Sequence, residues 1–465
     1  MKAGLLEKAS TGGAIAREGF EYQDAFVLQH LPLWLSESAF SHVVSEAVGD
    51  VEVCYFAPSD QIRRVMYEAK DYVLTSTQLW SEIKRCQTVF ETSPEEYVRF
   101  RLVCRDYNTV TSPLLSMLER LRGVGSSYQS DSVFLSDARQ EIIGWCEKNN
   151  QPRDLAEFVI DRMDFLAFAA EHADSAFSGE VEKHLPWIDL AGSQIRSLRS
   201  RLKELIVRSS VGALCRKHLE EAICDVLGSD KELWLSAPID VLTVDRGAGV
   251  RELGLGVDGF NGEERAKKTR DDWSWLFSEA LRIGTFIKDN TARRCVALDS
   301  KQRMSAACSL GFAFSATRGF VLEVEHNGQR YRTDVHERAG GTFFTSEDAT
   351  GRHGASEGVA CISFPTPIGN DFRKCVLDGL AEMPLIVLES TDSIDGVEAL
   401  NQAVSEVKSA LVQFRSRNEL TTLHLFVKAP SVFAMVLGHR LNGICDVQLY
   451  DWVEGRYVPT VFLRM

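Results

Sequence analysis

The sequence predicts an α/β protein in two units, the first extended by a helical elaboration. Three observations carry this. The first hundred residues alternate a helix, three short strands, a helix and a strand. Residues Ser112 to Leu227 then turn almost wholly helical, and the last two hundred return to strand–helix alternation. A length of 465 residues suits two or three domains, and 45% hydrophobic with 25% charged residues is ordinary globular composition.

Along the first unit, Phe20, Ala25, Phe26, Leu28 and Leu31 recur at helical spacing from Glu18 to Leu35, with Pro32 near the end. A strand follows around His42 to Glu46. Gly49-Asp50 signals a turn, Val51 to Phe56 is a second strand, and Pro58, Ser59 and Asp60 form a loop. Arg63 to Lys70 is the third strand. Ser76 to Phe90 reads as a helix with caps among Thr75 to Thr77, and Tyr97 to Cys104 as the fourth strand. Leu114, Leu115, Met117, Leu118 and Leu121 open the helical stretch, which Phe165 to Ala170 and Leu198 to Ile206 continue. Gly228 to Gly262 is rich in glycine and turns, so the division is expected between residues 1–228 and 229–465.

In the second unit, Arg294 to Leu298 is a strand running into Asp299-Ser300-Lys301 and a helix to Leu310. Arg318 to Glu325 and Gln329 to Asp334 flank His326-Asn327-Gly328, a hairpin signal. Leu385 to Glu389 is a strand and Gly396 to Arg415 a helix. Thr422 to Val427 leads through Pro430 into a helix ending near Leu441. Val447 to Tyr450 and Tyr457 to Leu463 close the chain as strands. The units Val296 to Leu310 and Leu423 to Leu441 look alike, which hints at two Rossmann-like halves.

The net charge is 52 − 66 = −14, which argues against a generic nucleic-acid coat. No stretch approaches the ~20 apolar residues of a membrane helix. MKAGLLEKASTGG lacks the apolar run of a secretory signal, so a cytoplasmic protein without a membrane contact is expected. Eleven cysteines with no CxxC pair point to reduced thiols rather than structural zinc. One basic run stands out: Arg196, Arg199, Arg201, Lys203, Arg208, Arg216 and Lys217, against Glu204 alone. Arg196, Arg199 and Lys203 share a helix face and are the candidates for DNA contact; a solvated helix surface explains them equally well.

The most specific chemistry lies in two neighbouring strands. Asp50 opens VEVCYF, and Glu68-Ala-Lys70 ends RVMYEAK. Side chains alternate along a strand, so Glu68 and Lys70 share a face, and a hairpin brings Asp50 beside them. Asp50 and Glu68 can hold a hard divalent cation through oxygen. Lys70 can orient a water or stabilise charge on the phosphate undergoing attack. Glu46 is a further candidate acid, or a solvated strand-end glutamate. Gln87 reads better as a half-exposed helix residue than as a contact to Lys70.

The helix–strand–strand–strand–helix–strand order around this D…ExK pattern resembles the PD-(D/E)xK restriction-endonuclease core. GGAIAREGFEYQDAF, with Arg17, Gly19, Phe20, Tyr22 and Gln23, resembles the opening helix of a nuclease family of bacterial defence proteins, over roughly residues 12 to 105. That resemblance implies a catalytic set of Asp50, Glu68 and Lys70 with Mg²⁺ or Mn²⁺ on Asp50 and Glu68, and it puts Gln23 near the active site. Packing against the sheet is the plainer role for Tyr22-Gln23.

In the second unit, LHLFVKAPSVFAMVLGHRL, VQLYDW and YVPTVFL resemble the SAVED domain, over roughly residues 250 to 465. SAVED domains are similar to two fused CARF-like Rossmann folds and bind cyclic oligonucleotides. In open α/β sheets ligands lie beyond the carboxyl ends of strands, beside helix N-termini. Ser300, Lys301 and Arg303 occupy such a position in the first half, Lys428 and Ser431 in the second. Trp273, Trp275, Phe314 and Tyr450 are candidates to stack on bases, with core packing as the general alternative. Asp451 and Trp452 suit a protomer contact as well as a ligand. GLGVDG (254–259) and GASEG (354–358) match a dinucleotide fingerprint and a nucleophile elbow by letter only. The first reads as a loop; a strand-like run, VACISF, follows the second. His424 reads as a core histidine, and Arg352-His353 as part of a polar loop that could cover a ligand.

The whole chain resembles the nuclease–SAVED effectors of CBASS anti-phage systems. That resemblance implies a cyclic di- or trinucleotide messenger from a partner synthase, self-association on binding, and Mg²⁺-dependent cutting of double-stranded DNA. Two other readings fit the residues: a non-catalytic sensor, and a restriction-type nuclease whose second domain reads modified DNA.

Overall fold

A computed structural model describes residues 8–57, 61–209, 212–244, 249–257, 259–349, 351, 354–368, 371 and 380–465, with the side chains of 8–18 and 244 left aside. The expected Pro58–Asp60 loop, the Arg17 side chain, Asp258 and Arg352-His353 lie outside the described residues. The chain forms two compact units, Met1–Trp234 and Leu235–Met465. No helix among the described residues is long and apolar enough to cross a membrane, and no disulfide joins the described cysteines.

The first unit opens with α1 (Lys8–Ser36), then β1 (Phe40–Ser45), β2 (Val51–Ala57), β3 (Gln61–Leu74), α2 (Ser76–Thr92) and β4 (Tyr97–Tyr107). Thr75 and Gln78 close a reciprocal capping box at the start of α2. The helix buries Leu79, Trp80, Ile83 and Cys86 against one sheet face, where Met66 of β3 also points. Side-chain alternation sends Tyr67 to the other face, where Phe26 and Trp34 of α1 meet its ring at 5.3 and 5.8 Å. Phe20, expected on this apolar stripe, is exposed.

The helical stretch holds α3 (Ser112–Gly123), α4 (Val133–Lys148), α5 (Arg153–Arg162), α6 (Ala173–His184), α7 (Gly192–Arg208) and α8 (Arg216–Leu227). It also hides two strands. Phe165 to Ala170, expected as helix, begins inside β5 (Met163–Ala167), which pairs parallel to β4. A short apolar run cannot separate helix from strand; pairing decided it, with Asp164 gripped by Arg99 at 2.6 Å and Arg122 at 3.0 Å. The second, β6 (Ala213–Cys215), pairs with β1, giving the order β5-β4-β3-β2-β1-β6. Arg216 leaves the basic surface expected for it. Its fully buried guanidinium donates to the carbonyls of Leu35, Glu37, Ser38 and Phe40 at 2.9–3.1 Å and pairs with Glu220 at 2.8 Å. It thereby helps satisfy the carbonyls that follow the end of α1.

After the short α9 (Glu232–Leu235), the second unit carries two sheets. The first has the order β11-β10-β9-β7-β8, from β7 (Ile239–Val244), β8 (Leu253–Gly256), β9 (Cys295–Asp299), β10 (Val321–His326) and β11 (Gln329–Arg332). Asn327 (φ 51°) and Gly328 (φ 75°) make the tight turn between β10 and β11. The GLGVDG segment begins as β8 rather than as a loop, and no long helix opens until α10 (Arg270–Asn290). The second sheet has the order β12-β14-β13-β15-β16-β17, from β12 (Thr345–Ala349), β13 (Glu357–Ser363), β14 (Leu385–Glu389), β15 (Thr422–Lys428), β16 (Asp446–Val453) and β17 (Arg456–Leu463). β13 is the strand-like run that excluded a nucleophile elbow.

The two look-alike strand–helix units meet at their helices, α11 (Met304–Ala313) and α13 (Ser431–Arg440); α12 (Val397–Asn418) packs beside α13. The crossing is reciprocal. A Cβ on Gly311 would lie 1.9 Å from the Met435 carbonyl oxygen, and one on Gly438 would lie 2.0 Å from that of Cys308. Both neighbours are backbone and cannot step aside, so only glycine lets the helices approach this closely. Gly311→Ala or Gly438→Ala should cost at least about 1–3 kcal/mol from overpacking, read as a lowered melting transition. Gly256→Ala, with open space around it, should change stability by less than about 0.5 kcal/mol.

Candidate active site and ligand cavities

Asp50 is positioned by a buried carboxylate two residues on. Glu52, on the same face of β2, accepts from the backbone N–H groups of Val48 (3.0 Å) and Gly49 (3.2 Å), from Tyr97 Oη (3.2 Å) and from Arg64 (2.8 Å). The turn before β2 is thereby tied into the sheet. The Glu46 N–H donates to the Asp50 carbonyl at 3.0 Å and closes it. Gly49 leaves no room for a side chain: a Cβ would sit 2.5 Å from Met66 Cγ and 3.3 Å from Glu68 Oε1.

The expected trio converges. Asp50 Oδ2 accepts from the Ala69 N–H at 2.7 Å and from Lys70 Nζ at 3.1 Å. Lys70 Nζ also reaches Glu68 Oε2 at 3.2 Å. Glu68 is fully buried, and its Oε1 has no hydrogen-bond partner. Burial, reinforced by the Asp50 charge, pushes the Glu68 carboxyl up to about 7 against the pull of Lys70 and Arg85. For Lys70, burial alone would favour the neutral amine, but Asp50 and then Glu68 hold the ammonium well above its ordinary range. Lys70 is therefore held as an ammonium here, a hydrogen-bond donor and a fixed charge.

An orphaned, buried carboxylate oxygen beside a second carboxylate suits a cation. Among the described residues no group of three His, Cys, Asp or Glu could hold a metal. Two carboxylates, with water and substrate phosphate completing the shell, match the way Mg²⁺ is commonly held.

Other expected members stay apart. Gln23 is half-buried on α1, which covers the Tyr67 face, whereas the carboxylates project from the Met66 face. Among the described residues no hydrogen bond joins Gln23 to the trio, and Tyr22 beside it packs inward with Oη donating to the Phe168 carbonyl at 3.1 Å. Glu46 has an exposed side chain at φ 55° and contributes only its backbone. Gln87 donates to Asp154 of α5 at 3.2 Å. On α7, Arg196 and Lys203 are exposed, while Arg199 turns to the Asp174 carbonyl at 3.2 Å. α7 packs on α1, on the far side of the sheet from α2. Arg85 was not anticipated. From α2 its Nη1 lies 2.5 Å from Glu68 Oε2, and its Nη2 donates to the Val48 carbonyl at 2.6 Å. No local spacing links a helix arginine to a strand glutamate. Glu52 was not singled out either, although its two-residue offset from Asp50 places it on the same strand face.

The expected ligand residues divide between two cavities. One, of about 330 Å³, is lined by Arg265, Arg303, Lys428, Asp451, Trp452 and Tyr457 among others. It lies where β15 ends and α11 begins. Asp451 is 4% exposed, and among the described residues its Oδ2 has no hydrogen-bond partner, with Arg265 Nε at 3.9 Å. Burial shifts its carboxyl upward. The other cavity, of about 670 Å³, includes Ser300 and Lys301, but Asp240, Asp299, Glu323 and Glu325 make it acidic. Ser431 Oγ donates to the Ser300 carbonyl and so ties the two helix-opening loops together. Tyr450 is a correction: it is 2% exposed, stacked on Phe426 at 4.3 Å and bonded to His424 at 2.8 Å, so it cannot stack on a base. Trp273 and Phe314 are also core residues, packed edge-to-face on Phe260 and Phe320 at 4.8 and 5.5 Å. Trp275 is 45% exposed on α10 and lines neither cavity.

The raised Glu68 carboxyl has a consequence for stability. The folded state binds this proton more tightly than the unfolded chain does. Stability from this group is thus present below about pH 4.5 and lost as pH rises through about 7. In metal-free protein, the melting temperature of Glu68→Gln relative to wild type should climb by a few degrees (about 3 °C) between pH 5 and pH 8. A flat difference across that range would contradict the buried, charge-crowded Glu68.

Comparison with known proteins bears on both units. Residues 11–210 match the family model described as "Cap4, dsDNA endonuclease domain", and residues 281–463 match "SMODS-associated and fused to various effectors sensor domain", abbreviated SAVED. CD-NTase-associated protein 4 of Moraxella osloensis is 52% identical over 465 residues, covering 100% of both chains; that of an Acinetobacter species is 51% identical over the same span. Among solved structures, the Acinetobacter baumannii Cap4 SAVED/CARF-domain receptor with the cyclic trinucleotide 2′3′3′-cAAA superimposes with a TM-score of 0.89 at 48% identity, covering 96% of this chain and 99% of that one. The Moraxella osloensis receptor gives 0.86 at 49% identity, covering 97% and 100%. With a nuclease core bearing Asp50, Glu68 and Lys70 followed by a SAVED sensor fold, the chain belongs to the CD-NTase-associated protein 4 family of CBASS effectors.

Proposed function

We propose that this protein is a Mg²⁺- or Mn²⁺-dependent double-stranded DNA endonuclease, held inactive until a cyclic trinucleotide occupies the SAVED unit. The observation that carries the reading is the convergence of Asp50, Glu68 and Lys70 with one buried carboxylate oxygen unsatisfied. Asp50 and Glu68 would hold the cation. When bound, it would polarise the scissile phosphate and lower the pKa of a water. Lys70, kept protonated by both carboxylates, donates to the phosphate oxygen on which charge develops. The Ala69 N–H fixes the Asp50 carboxylate, so the site is preorganised before substrate arrives.

A trinucleotide is favoured over a dinucleotide because the similar receptor was solved with 2′3′3′-cAAA and with 3′3′3′-cAAA. Arg303 and Lys428 are the proposed phosphate ligands in the smaller cavity, and Asp451 the acceptor for a donor on the ligand. Ser300, Lys301 and Ser431 shape the loops behind them. Self-association follows from the chemistry: one two-carboxylate site cuts one strand, and a double-strand break needs two. A synthase of cyclic oligonucleotides must supply the messenger. Arg196 and Lys203 are proposed as phosphate contacts away from the cut.

Plasmid cleavage with Mg²⁺ and a panel of cyclic di- and trinucleotides tests the whole. Cutting should need one trinucleotide and should vanish in Lys70→Ala, while that variant keeps its ligand affinity. Retained cutting by pure Lys70→Ala protein sinks the site, and cutting without any ligand favours a restriction-type enzyme. Arg303→Ala/Lys428→Ala should bind the activating ligand at least about tenfold more weakly, as charge-assisted contacts predict; unchanged affinity by calorimetry moves the ligand elsewhere. Replacing Arg196 and Lys203 with alanine should flatten the salt dependence of duplex binding by about two phosphate contacts, each near 0.9 in slope.

A further inference from the structure

Arg85 bridges two parts of the active site. Its guanidinium lies 2.5 Å from Glu68 Oε2 through Nη1 and donates to the Val48 carbonyl, in the turn before Asp50, through Nη2. Glu68 Oε2 therefore carries two cations, Arg85 and Lys70, while Oε1 carries none. The two cations differ in freedom. Lys70 is held between both carboxylates inside the site. Arg85 reaches in from the surface of α2, and its side chain is 46% exposed. A second acid, Glu82, lies 3.7 Å from the same nitrogen and can keep the released guanidinium nearby. Guanidinium groups suit phosphate oxygens as well as carboxylates.

We infer that Arg85 is a positioning residue with two stations. Without a divalent cation it neutralises buried Glu68 and latches the Asp50 turn to α2. When the cation binds Asp50 and Glu68, Arg85 gives up Oε2 and takes a phosphate oxygen of the DNA backbone. Arg85 and the cation thus compete for Glu68, and Arg85 and the cation cooperate on DNA. This rests on the proposed metal role of Asp50 and Glu68.

The test is Mn²⁺ binding to the full chain by calorimetry, without DNA. Arg85→Ala and Arg85→Gln should bind Mn²⁺ about tenfold more tightly than wild type, because one unit charge is removed a few ångströms from the ion. Arg85→Lys, which keeps the charge, should stay close to wild type, and Glu68→Gln should bind Mn²⁺ poorly. In Ca²⁺, Arg85→Ala should bind a short DNA duplex several-fold more weakly than wild type. Unchanged or weaker Mn²⁺ binding in both neutral variants, with Glu68→Gln still defective, overturns the competition and leaves the metal site standing. Tighter Mn²⁺ binding with unchanged duplex affinity overturns the handover to phosphate. If wild type and Glu68→Gln bind Mn²⁺ alike, the metal assignment fails and this inference with it. Arg85→Gln guards against misfolding, since it keeps the aliphatic stem.

Discussion

The buried carboxylate of Glu52 is the constraint on which the nuclease site rests. Backbone N–H groups at a strand-opening turn need partners, and a turn without them would be free to move. Glu52 supplies two of those partners and is itself anchored by Arg64 and Tyr97. With the turn fixed, Asp50 meets the Ala69 N–H and Lys70, and Glu68 is sealed behind Gly49. A charged group this well bonded can be buried at modest cost; Glu68, with one oxygen unsatisfied, cannot. The contrast between these two acids on one sheet face separates a carboxylate that is fully bonded from the one proposed to hold a cation.

The sensor unit depends on a different constraint, the contact of two helices at glycines. Gly311 and Gly438 each face the other helix's backbone, so α11 and α13 approach more closely than side chains would permit. Their N-terminal ends carry Arg303 and Ser431, and the Ser431–Ser300 bond ties the loops that open them. The close approach of the helices therefore fixes the positions of the residues proposed to read a ligand. A packing fault at either glycine would be felt at the cavity as well as in the core.

Charge is used economically in both units. Arg216 shows the structural use: a fully buried guanidinium that gathers four carbonyls and one carboxylate. Arg85 shows the opposite, a half-exposed guanidinium on a buried carboxylate that it shares with Lys70. Asp451 and Arg265 lie between these extremes. They face each other at 3.9 Å, too far for a hydrogen bond, with Asp451 Oδ2 and Arg265 Nε both unsatisfied.

Local pattern determined much of this protein. Period-two alternation put Glu68 and Lys70 on one face, and the Asn327-Gly328 turn fixed a hairpin. The Thr75 cap began a helix, and motif resemblance identified the two units. What local pattern left open was decided by contacts between residues distant in sequence. β5 became a strand because β4 offered an edge and Asp164 found three arginines. Tyr450 went into the core because Phe426 and His424 enclosed it, which an aromatic residue in a strand does not announce. Gln23 fell on the face of the sheet away from the carboxylates because α1 covers Tyr67. Arg85 entered the site because α2 lies across β3. Alternation and turn chemistry act over a few residues, so the sequence alone determined which side chains share a face. Which face meets which partner is settled only when the sheet and its helices close on one another.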